Sequence, residues 1–200
     1  MRKARIIITV LLVILLGISI GLSIKLNADR DKARRYLLNS VNACFVNISV
    51  ELDKVISGVE NGTTTFNYNR DTLLRIADYL YKADTLLTQY HYSRPSAGLK
   101  YTAVYNFGYI ASTMGFGSGT ANNIRYDCIL YDAEISDNEI RYLETLRDDI
   151  TLHLNGMQSA ESQNENPNLT ITQLNNILSG FFDTWSYYNE NSPYLLLRSE

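Results

Sequence analysis

The first strong pattern in the chain is an uninterrupted apolar run. Residues 6–24 include no charged side chain. As an α-helix, at about 1.5 Å per residue, this run would extend roughly 28 Å, close to the thickness of the hydrocarbon core of a bilayer. It is preceded by Arg2, Lys3 and Arg5 and by no acidic residue. This charge bias predicts a cytoplasmic basic tail at residues 1–5, with the rest of the chain outside the cytoplasm.

A cleaved signal peptide is the alternative to a retained anchor. Signal peptides usually have a shorter apolar region, of about 7–15 residues. Ser19, Gly21 and Ser23 would permit a cleavage site. The length of the run favours a transmembrane signal anchor at residues 6–24, and both alternatives place the following domain outside the cytoplasm.

Beyond this run, apolar residues recur every three or four positions, which is the period of a helix with one buried face. In the first such segment, residues 29–59, they are Leu37, Val41, Cys44, Ile48, Leu52, Val55 and Val59. In the second, residues 71–92, they are Leu73, Ala77, Leu80, Ala83, Leu87 and Tyr90. In the third, residues 99–114, they are Ala103, Phe107, Ile110 and Met114. Gly62 and the Pro95–Gly98 segment would end the first two helices.

The segment at residues 122–133 fits two periods. Its apolar residues alternate as in a strand at Ile124, Tyr126, Cys128 and Leu130, and they also fit a helix at Ile124, Cys128, Tyr131 and Ile135. A strand without a partner would leave its backbone groups unpaired. A helix or an irregular segment is therefore the favoured interpretation.

Two more helices follow. Ser136 and Glu139 form a capping-box pattern, which predicts the start of a fourth helix that runs to about Asn155. Its inward positions are Ile140, Leu143, Leu146, Ile150 and Leu154. The fifth helix, residues 171–188, has a heptad seam of Ile171, Leu174, Leu178, Phe181, Trp185 and Tyr188, and an apolar tail follows at residues 194–197. The predicted fold is all-α: an N-terminal transmembrane helix, then an antiparallel bundle of about five helices within residues 27–200.

Charge narrows the possible partners. Without Arg2, Lys3 and Arg5, the chain has 15 basic and 21 acidic residues, a net charge of about −6. Nucleic-acid binding depends on clustered Lys and Arg, so we expect no nucleic-acid partner.

The two cysteines, Cys44 and Cys128, admit two states. Outside the cytoplasm they could form one disulfide. Cys44 falls on the apolar stripe of the first long helix, which favours two buried thiols instead.

No catalytic chemistry stands out. His91 and His153 are the only histidines, and neither has another His or Cys within four residues. The sequence therefore predicts no metal site, no cofactor and no histidine-based catalytic pair. The carboxylates of Asp127, Asp132, Glu134, Asp137, Glu139, Glu144, Asp148 and Asp149 leave a carboxylate-based envelope hydrolase as the least favoured alternative.

Aromatic residues suggest a binding surface near the C-terminal end. The chain has 15 tyrosines, and most of them could simply fill the bundle core. In the fifth helix, Phe182 lies about 100° around from Phe181, at the edge of the inward face. We expect Phe182, Tyr187, Tyr194 and Leu195 to form a partly apolar surface, the tail patch, that binds a partner protein.

One stretch carries a family resemblance. Residues 135–146 (Ile-Ser-Asp-Asn-Glu-Ile-Arg-Tyr-Leu-Glu-Thr-Leu), preceded by Phe107, Gly108 and Tyr109, resemble the N-terminal region of the YpeB family of spore-germination proteins. Residues 6–157 are the part covered, and the C-terminal repeat domains of that family have no counterpart here. The resemblance implies an accessory role, in which the domain stabilises or localises a cell-wall lytic enzyme.

These observations favour a non-enzymatic, membrane-tethered interaction domain outside the cytoplasm. The alternative is an extracellular sensor or ligand-binding domain that acts through a membrane partner. The two differ in their principal partner, which is another protein in the first case and a small ligand in the second.

Overall fold

A computed structural model of the chain describes residues 2–100, 106–115, 119–121, 124–126, 128–129, 134–159, 166, 168–186 and 189–197. The all-α fold is confirmed. Five helices form it: α1 (Arg2–Glu60), α2 (Phe66–Ser93), α3 (Asn106–Gly115), α4 (Asp137–Met157) and α5 (Ile171–Thr184). Short 3₁₀ turns lie at Pro95–Ala97 and Pro193–Leu197. The chain divides into two compact units, Met1–Tyr36 and Leu37–Glu200, and each includes part of α1.

The first unit is helical from Arg2 onward. Its large apolar side chains from Val10 to Leu26 are all more than half exposed. Of the helices in the described residues, only α1 is long and apolar enough to cross a membrane, and its most apolar window has a mean hydropathy of 2.3. These properties are compatible with a single-pass membrane protein.

The second unit is built on the predicted stripes. In α1 the stripe from Leu37 to Val55 is buried and Val59 is half-buried, while all six predicted positions of α2 are buried. Ile140, Leu154 and Ile171 are half-buried at the ends of their stripes. The remaining predicted core positions of α3, α4 and α5 are buried, apart from Ala103 and Tyr188, which lie outside the described residues.

Two helix boundaries differ from the prediction because polar side chains set them. α2 begins five residues early, at Phe66, since the Thr65 side chain accepts the backbone N–H of Tyr68. α5 ends at Thr184, four residues early. There the Asn189 side chain donates to the carbonyls of Asp183 and Thr184, which satisfies the last turn of the helix.

A short hairpin corrects the interpretation of residues 122–133. β1 (Gly119–Ala121) pairs antiparallel with β2 (Ile124–Tyr126), with Thr120 opposite Arg125. The favoured helix or irregular segment is therefore wrong at residues 124–126. The partner strand comes from the end of the glycine-rich segment at residues 115–119 and from the two residues after it.

The α1–α2 connection is fixed by glycines and by an ionic cluster. Gly62 has a φ of +60°, which a residue with a side chain rarely adopts, and it ends α1 as predicted. Earlier in α1, the Glu51 carboxylate accepts hydrogen bonds from Lys54 of the same helix and from Arg75 of α2. Burial alone raises the pKa of Glu51, but these hydrogen bonds and the two positive charges together hold it below its usual value.

Both cysteines are buried free thiols, which confirms the favoured alternative. Cys44 lies on the buried stripe of α1. The Cys128 thiol donates to the carbonyl of Met114 at 3.2 Å. Burial raises the pKa of the Cys44 thiol, so little thiolate forms at neutral pH.

Aromatic rings link the helices at the centre of the second unit. Phe107 of α3 lies with its ring centroid 5.2 Å from that of Phe45 in α1 and 4.8 Å from that of Phe181 in α5. Trp185 stacks on Phe181 at 5.6 Å and meets Tyr142 of α4 edge-on at 5.2 Å. One continuous cluster of rings within the core therefore joins α1, α3, α4 and α5.

Candidate functional site: a groove between α4 and α5

The described residues of the predicted tail patch differ in how deeply they are buried. Tyr194 is fully buried, with its ring 5.8 Å from Trp185 and 6.2 Å from Tyr142. As a core residue it cannot contribute to a surface patch, so its assignment as a partner-binding residue is corrected. Phe182 and Leu195 are half-buried, and Tyr187 lies outside the described residues.

A more open surface lies on the other flank of α5. The α4–α5 groove has a volume of about 340 Å³. Its lining is Asp149, Leu152, His153, Gly156, Asn176, Ile177, Gly180 and Thr184. Gly180 and Phe182 lie about 100° from Phe181 in opposite directions around the helix. The groove and Phe182 are therefore on opposite flanks of the buried face of α5.

Two glycines open this groove. A Cβ atom at Gly180 would meet only His153 Nε2, at 4.0 Å, and a Cβ at Gly156 would come within 3.3 Å of Ile177 Cγ1. Gly156 thus allows α5 to approach α4 at one point, whereas Gly180 leaves space that no side chain fills. Glycine in a helix interior costs roughly 0.5–1 kcal/mol relative to alanine. The space at Gly180 is therefore part of the concave surface between α4 and α5.

The walls of the groove are mainly apolar. Leu152 is 67% exposed, the highest value among the large apolar residues that the structure describes in the second unit. Ile177 faces it from α5 and is half-buried. Leu152 and Ile177 thus give the groove an apolar wall on each helix.

The polar groups of the groove are held in place. Trp185 Nε1 donates to Asp149 Oδ2 at 2.7 Å. His153 Nδ1 is hydrogen-bonded to the backbone carbonyl of Asp149, and its ring meets Phe181 edge-on at 5.1 Å. With Nδ1 as the donor to that carbonyl, His153 Nε2 is an acceptor on the Gly180 side of the ring.

The surroundings of the groove are acidic. α5 includes no basic residue, and Asp183 in its last turn is exposed. The groove lining includes the Asp149 carboxylate and no Lys or Arg, whereas Asp148 is paired with Arg147 at 2.9 Å and adds no net charge. A segment with basic residues beside its apolar ones would be attracted to this surface.

The candidate carboxylates have structural roles or lie apart. Glu139 completes the capping box of α4, so this part of the prediction is confirmed. Asp149 accepts from Trp185, and Asp127 and Asp132 lie outside the described residues. The described residues include no cluster of three or more His, Cys, Asp and Glu side chains that could hold a metal ion.

Sequence reasoning missed the groove, although one signal pointed to it. Gly180 lies inside an otherwise helical pattern, where glycine is unfavourable relative to alanine. The fourth helix, predicted to run to about Asn155, continues to Met157, so Gly156 lies within its last turn. Only the distance between two helices shows which glycine leaves an opening.

Comparison with known proteins gives no match to a family model, to a curated protein or to a solved structure. The function is therefore argued from the groove and from α1.

Proposed function

We propose that this chain is a membrane-tethered interaction domain that binds an apolar, basic-flanked segment of another protein in the α4–α5 groove. The observation that carries the proposal is the open space at Gly180 beside the exposed Leu152. The acidic side chains around the groove favour basic residues in the partner. His153 Nε2 offers a fixed acceptor for one hydrogen bond from the bound segment.

In this proposal α1 crosses the membrane through residues 6–24. The basic residues before this segment support an orientation with the N-terminus in the cytoplasm and the second unit outside. The anchor holds the domain at the membrane surface, which raises its effective concentration toward partners in the same envelope.

The resemblance to the YpeB family supplies a finer proposal for the partner. In that case the domain stabilises or localises a cell-wall lytic enzyme during spore germination. Residues 135–146, which carry the resemblance, include the first part of α4, and α4 also lines the groove.

Site-specific photocrosslinking tests the groove. A benzoylphenylalanine at position 152, in the full chain in its own membranes, should give one discrete crosslinked product. The same probe at position 182 is the matched control, since Phe182 lies on the opposite flank of α5. Gly180→Leu should fill the groove and abolish the product from position 152, while helicity stays unchanged.

Two results of this experiment would contradict the proposal. Equal products from positions 152 and 182, or a product from 152 that survives Gly180→Leu, would show that the groove is not where a partner binds.

The anchor has its own test. N-terminal sequencing of the protein extracted from membranes should return the start of the chain. A mature N-terminus anywhere between Gly21 and Asp31 would show that the segment is a cleaved signal peptide.

A further inference from the structure

Positive charge is concentrated in one short part of α1, directly after the apolar segment. Residues 25–36 include five basic and two acidic side chains, a net charge of +3. Residues 37–200 include ten basic and 19 acidic side chains, a net charge of −9. The chain therefore carries a basic segment next to its apolar run and an acidic second unit.

Four of the five basic side chains in this segment are exposed. They are Lys25, Arg30, Lys32 and Arg35, and we call them the basic collar. None of the four forms an ion pair with any residue that the structure describes. The fifth, Arg34, is half-buried and lies 3.7 Å from Asp31. Water solvates an exposed cation well, so the position of the collar, and not its exposure alone, indicates what it binds.

The distance of the collar from the apolar segment fits the headgroup region of a bilayer. α1 is one helix from Arg2 to Glu60, so each residue after Ile24 adds about 1.5 Å along its axis. Arg30 and Lys32 are therefore about 9 and 12 Å beyond Ile24. The headgroups add roughly 5–7 Å to each side of the hydrocarbon core. Helical side chains lean toward the N-terminus of their helix, which here is toward the bilayer, so long basic side chains reach back to the headgroups.

The collar surrounds the helix and does not form a single stripe. At about 100° per residue, Lys32 lies within about 20° of Lys25 around the axis. Arg35 lies about 80° from Lys25 on one side, and Arg30 lies about 140° away on the other. A partner protein would contact one side of the helix, whereas the lipids of a bilayer surround all of it. The arrangement therefore suits lipid headgroups better than one docked partner.

We propose that the basic collar binds the phosphate groups of anionic phospholipids and enriches these lipids around α1. The headgroup of phosphatidylglycerol has a net negative charge and phosphate oxygens that accept hydrogen bonds from Lys and Arg. Clustered basic residues next to a membrane surface attract anionic lipids. The inference rests on the proposed membrane anchor, but it does not depend on the direction in which α1 crosses the bilayer.

The charge distribution gives this contact a role. An anionic bilayer repels a unit with a net charge of −9, and salt screens that repulsion over about 8 Å at physiological ionic strength. The collar residues are the part of the chain beyond residue 24 that is closest to the headgroups, where screening is weakest. Their attraction to anionic lipid therefore opposes the repulsion and holds the end of the apolar segment at the headgroup level.

Quenching of tryptophan fluorescence by brominated lipids tests the proposal on the full chain in vesicles. Leu22→Trp places a tryptophan in the apolar segment, while the native Trp185, 2% exposed in the second unit, gives a constant background. In equimolar mixtures, brominated phosphatidylglycerol in ordinary phosphatidylcholine should quench position 22 more than brominated phosphatidylcholine in ordinary phosphatidylglycerol. We expect phosphatidylglycerol to be enriched at least about twofold at low salt. The enrichment should vanish at about 1 M NaCl, where the screening length is about 3 Å.

Two triple variants separate the collar from the total charge of the chain. The test variant neutralises three collar residues, by Arg30→Gln, Lys32→Gln and Arg35→Gln, and should lose the enrichment. The matched control removes the same charge from three exposed residues of the second unit, by Arg70→Gln, Lys82→Gln and Lys100→Gln, and should keep it. Circular dichroism should show unchanged helicity in both, since all six side chains are exposed.

Equal quenching in the two lipid mixtures would overturn the proposal, as would an enrichment that survives in the test variant or is lost equally in the control. Vesicles of brominated phosphatidylcholine alone test the anchor separately. If position 22 is not quenched there, the membrane anchor is refuted, and this inference with it. Strong quenching without a preference for either lipid would refute the role of the collar and leave the anchor intact.

Discussion

Trp185 donates its indole N–H to the Asp149 carboxylate across a distance of 2.7 Å, which joins the end of α5 to the middle of α4. Trp185 is also the C-cap of α5 and is 2% exposed. The backbone N–H of Trp185 thus donates to the Phe181 carbonyl at the end of α5, while its ring stacks on Phe181 and its indole N–H fixes a polar group of the α4–α5 groove.

Trp185→Phe should therefore lower the stability of the domain. The new ring can keep the stack on Phe181, but Asp149 Oδ2 loses its donor. The expected loss is about 1.5–3 kcal/mol, the usual contribution of a hydrogen bond to a charged group. Urea unfolding followed by circular dichroism measures it. Asp149→Asn, which keeps an acceptor for Trp185, should cost less; an equal or larger cost would mean that the charge matters more than the indole contact.

Glu51 should make stability depend on pH. Its pKa in the folded protein is below its usual value, so its contribution is fully present above the unfolded pKa of about 4.3 and is lost as pH falls through the folded pKa. Glu51→Gln should cost about 1–3 kcal/mol at pH 7, and the difference from the wild type should shrink below about pH 4. Fluorescence of Trp185, the only tryptophan, follows unfolding at each pH. Asp78→Asn is the control, and a difference that stays constant with pH would refute the ionic role.

Alanine at two glycines should have opposite effects. Gly58→Ala places a Cβ against Thr64 and should destabilise the domain by about 1–3 kcal/mol. Gly180→Ala meets open space apart from an ordinary contact with His153, and should stabilise it by roughly 0.5–1 kcal/mol. Thermal unfolding of the two variants, measured in parallel, shows whether each substitution raises or lowers the stability of the domain. If Gly180→Ala were destabilising, the opening at that residue would be smaller than described.

The cysteines should be dispensable. Replacing both Cys44 and Cys128 with alanine should cost roughly 1–2 kcal/mol, because only small cavities result. Iodoacetamide should label neither thiol until urea unfolds the domain, since burial blocks access and, at Cys44, also raises the pKa. Unfolding of the domain by a reducing agent alone would reveal a disulfide and contradict the structure.

Local periodicity was enough to predict most of the core. The stripe of α1 from Leu37 to Val55 follows from spacings of three and four residues, and any buried helix with that pattern must turn the same face inward. The capping box at Ser136 and Glu139 is equally local, since its partners are three residues apart. Features that depend only on contacts within one or two turns of a helix could therefore be predicted from the sequence.

Features that depend on partners far away in the sequence could not be predicted from it. β2 could be recognised only by its pairing with β1, and three alternating residues also fit a helix. Tyr194 was assigned to a surface because the sequence does not reveal that Tyr142 and Trp185 leave a space for its ring. Asn69 gave no signal at all, since only the α1–α2 turn shows that its Oδ1 atom is buried, with no hydrogen-bond partner among the described residues.

The ring cluster has a consequence for how the protein is made. Phe45 and Phe181 contact the same ring, Phe107, although they lie near opposite ends of the second unit. At a synthesis rate of about 5–20 residues per second, the ribosome needs on the order of ten seconds to reach Phe181 after Phe45. Until Phe181 is made, Phe107 and the core around it lack the partner that α5 supplies. The newborn chain thus passes through a period in which protection from aggregation, by a chaperone or by the membrane itself, decides its yield.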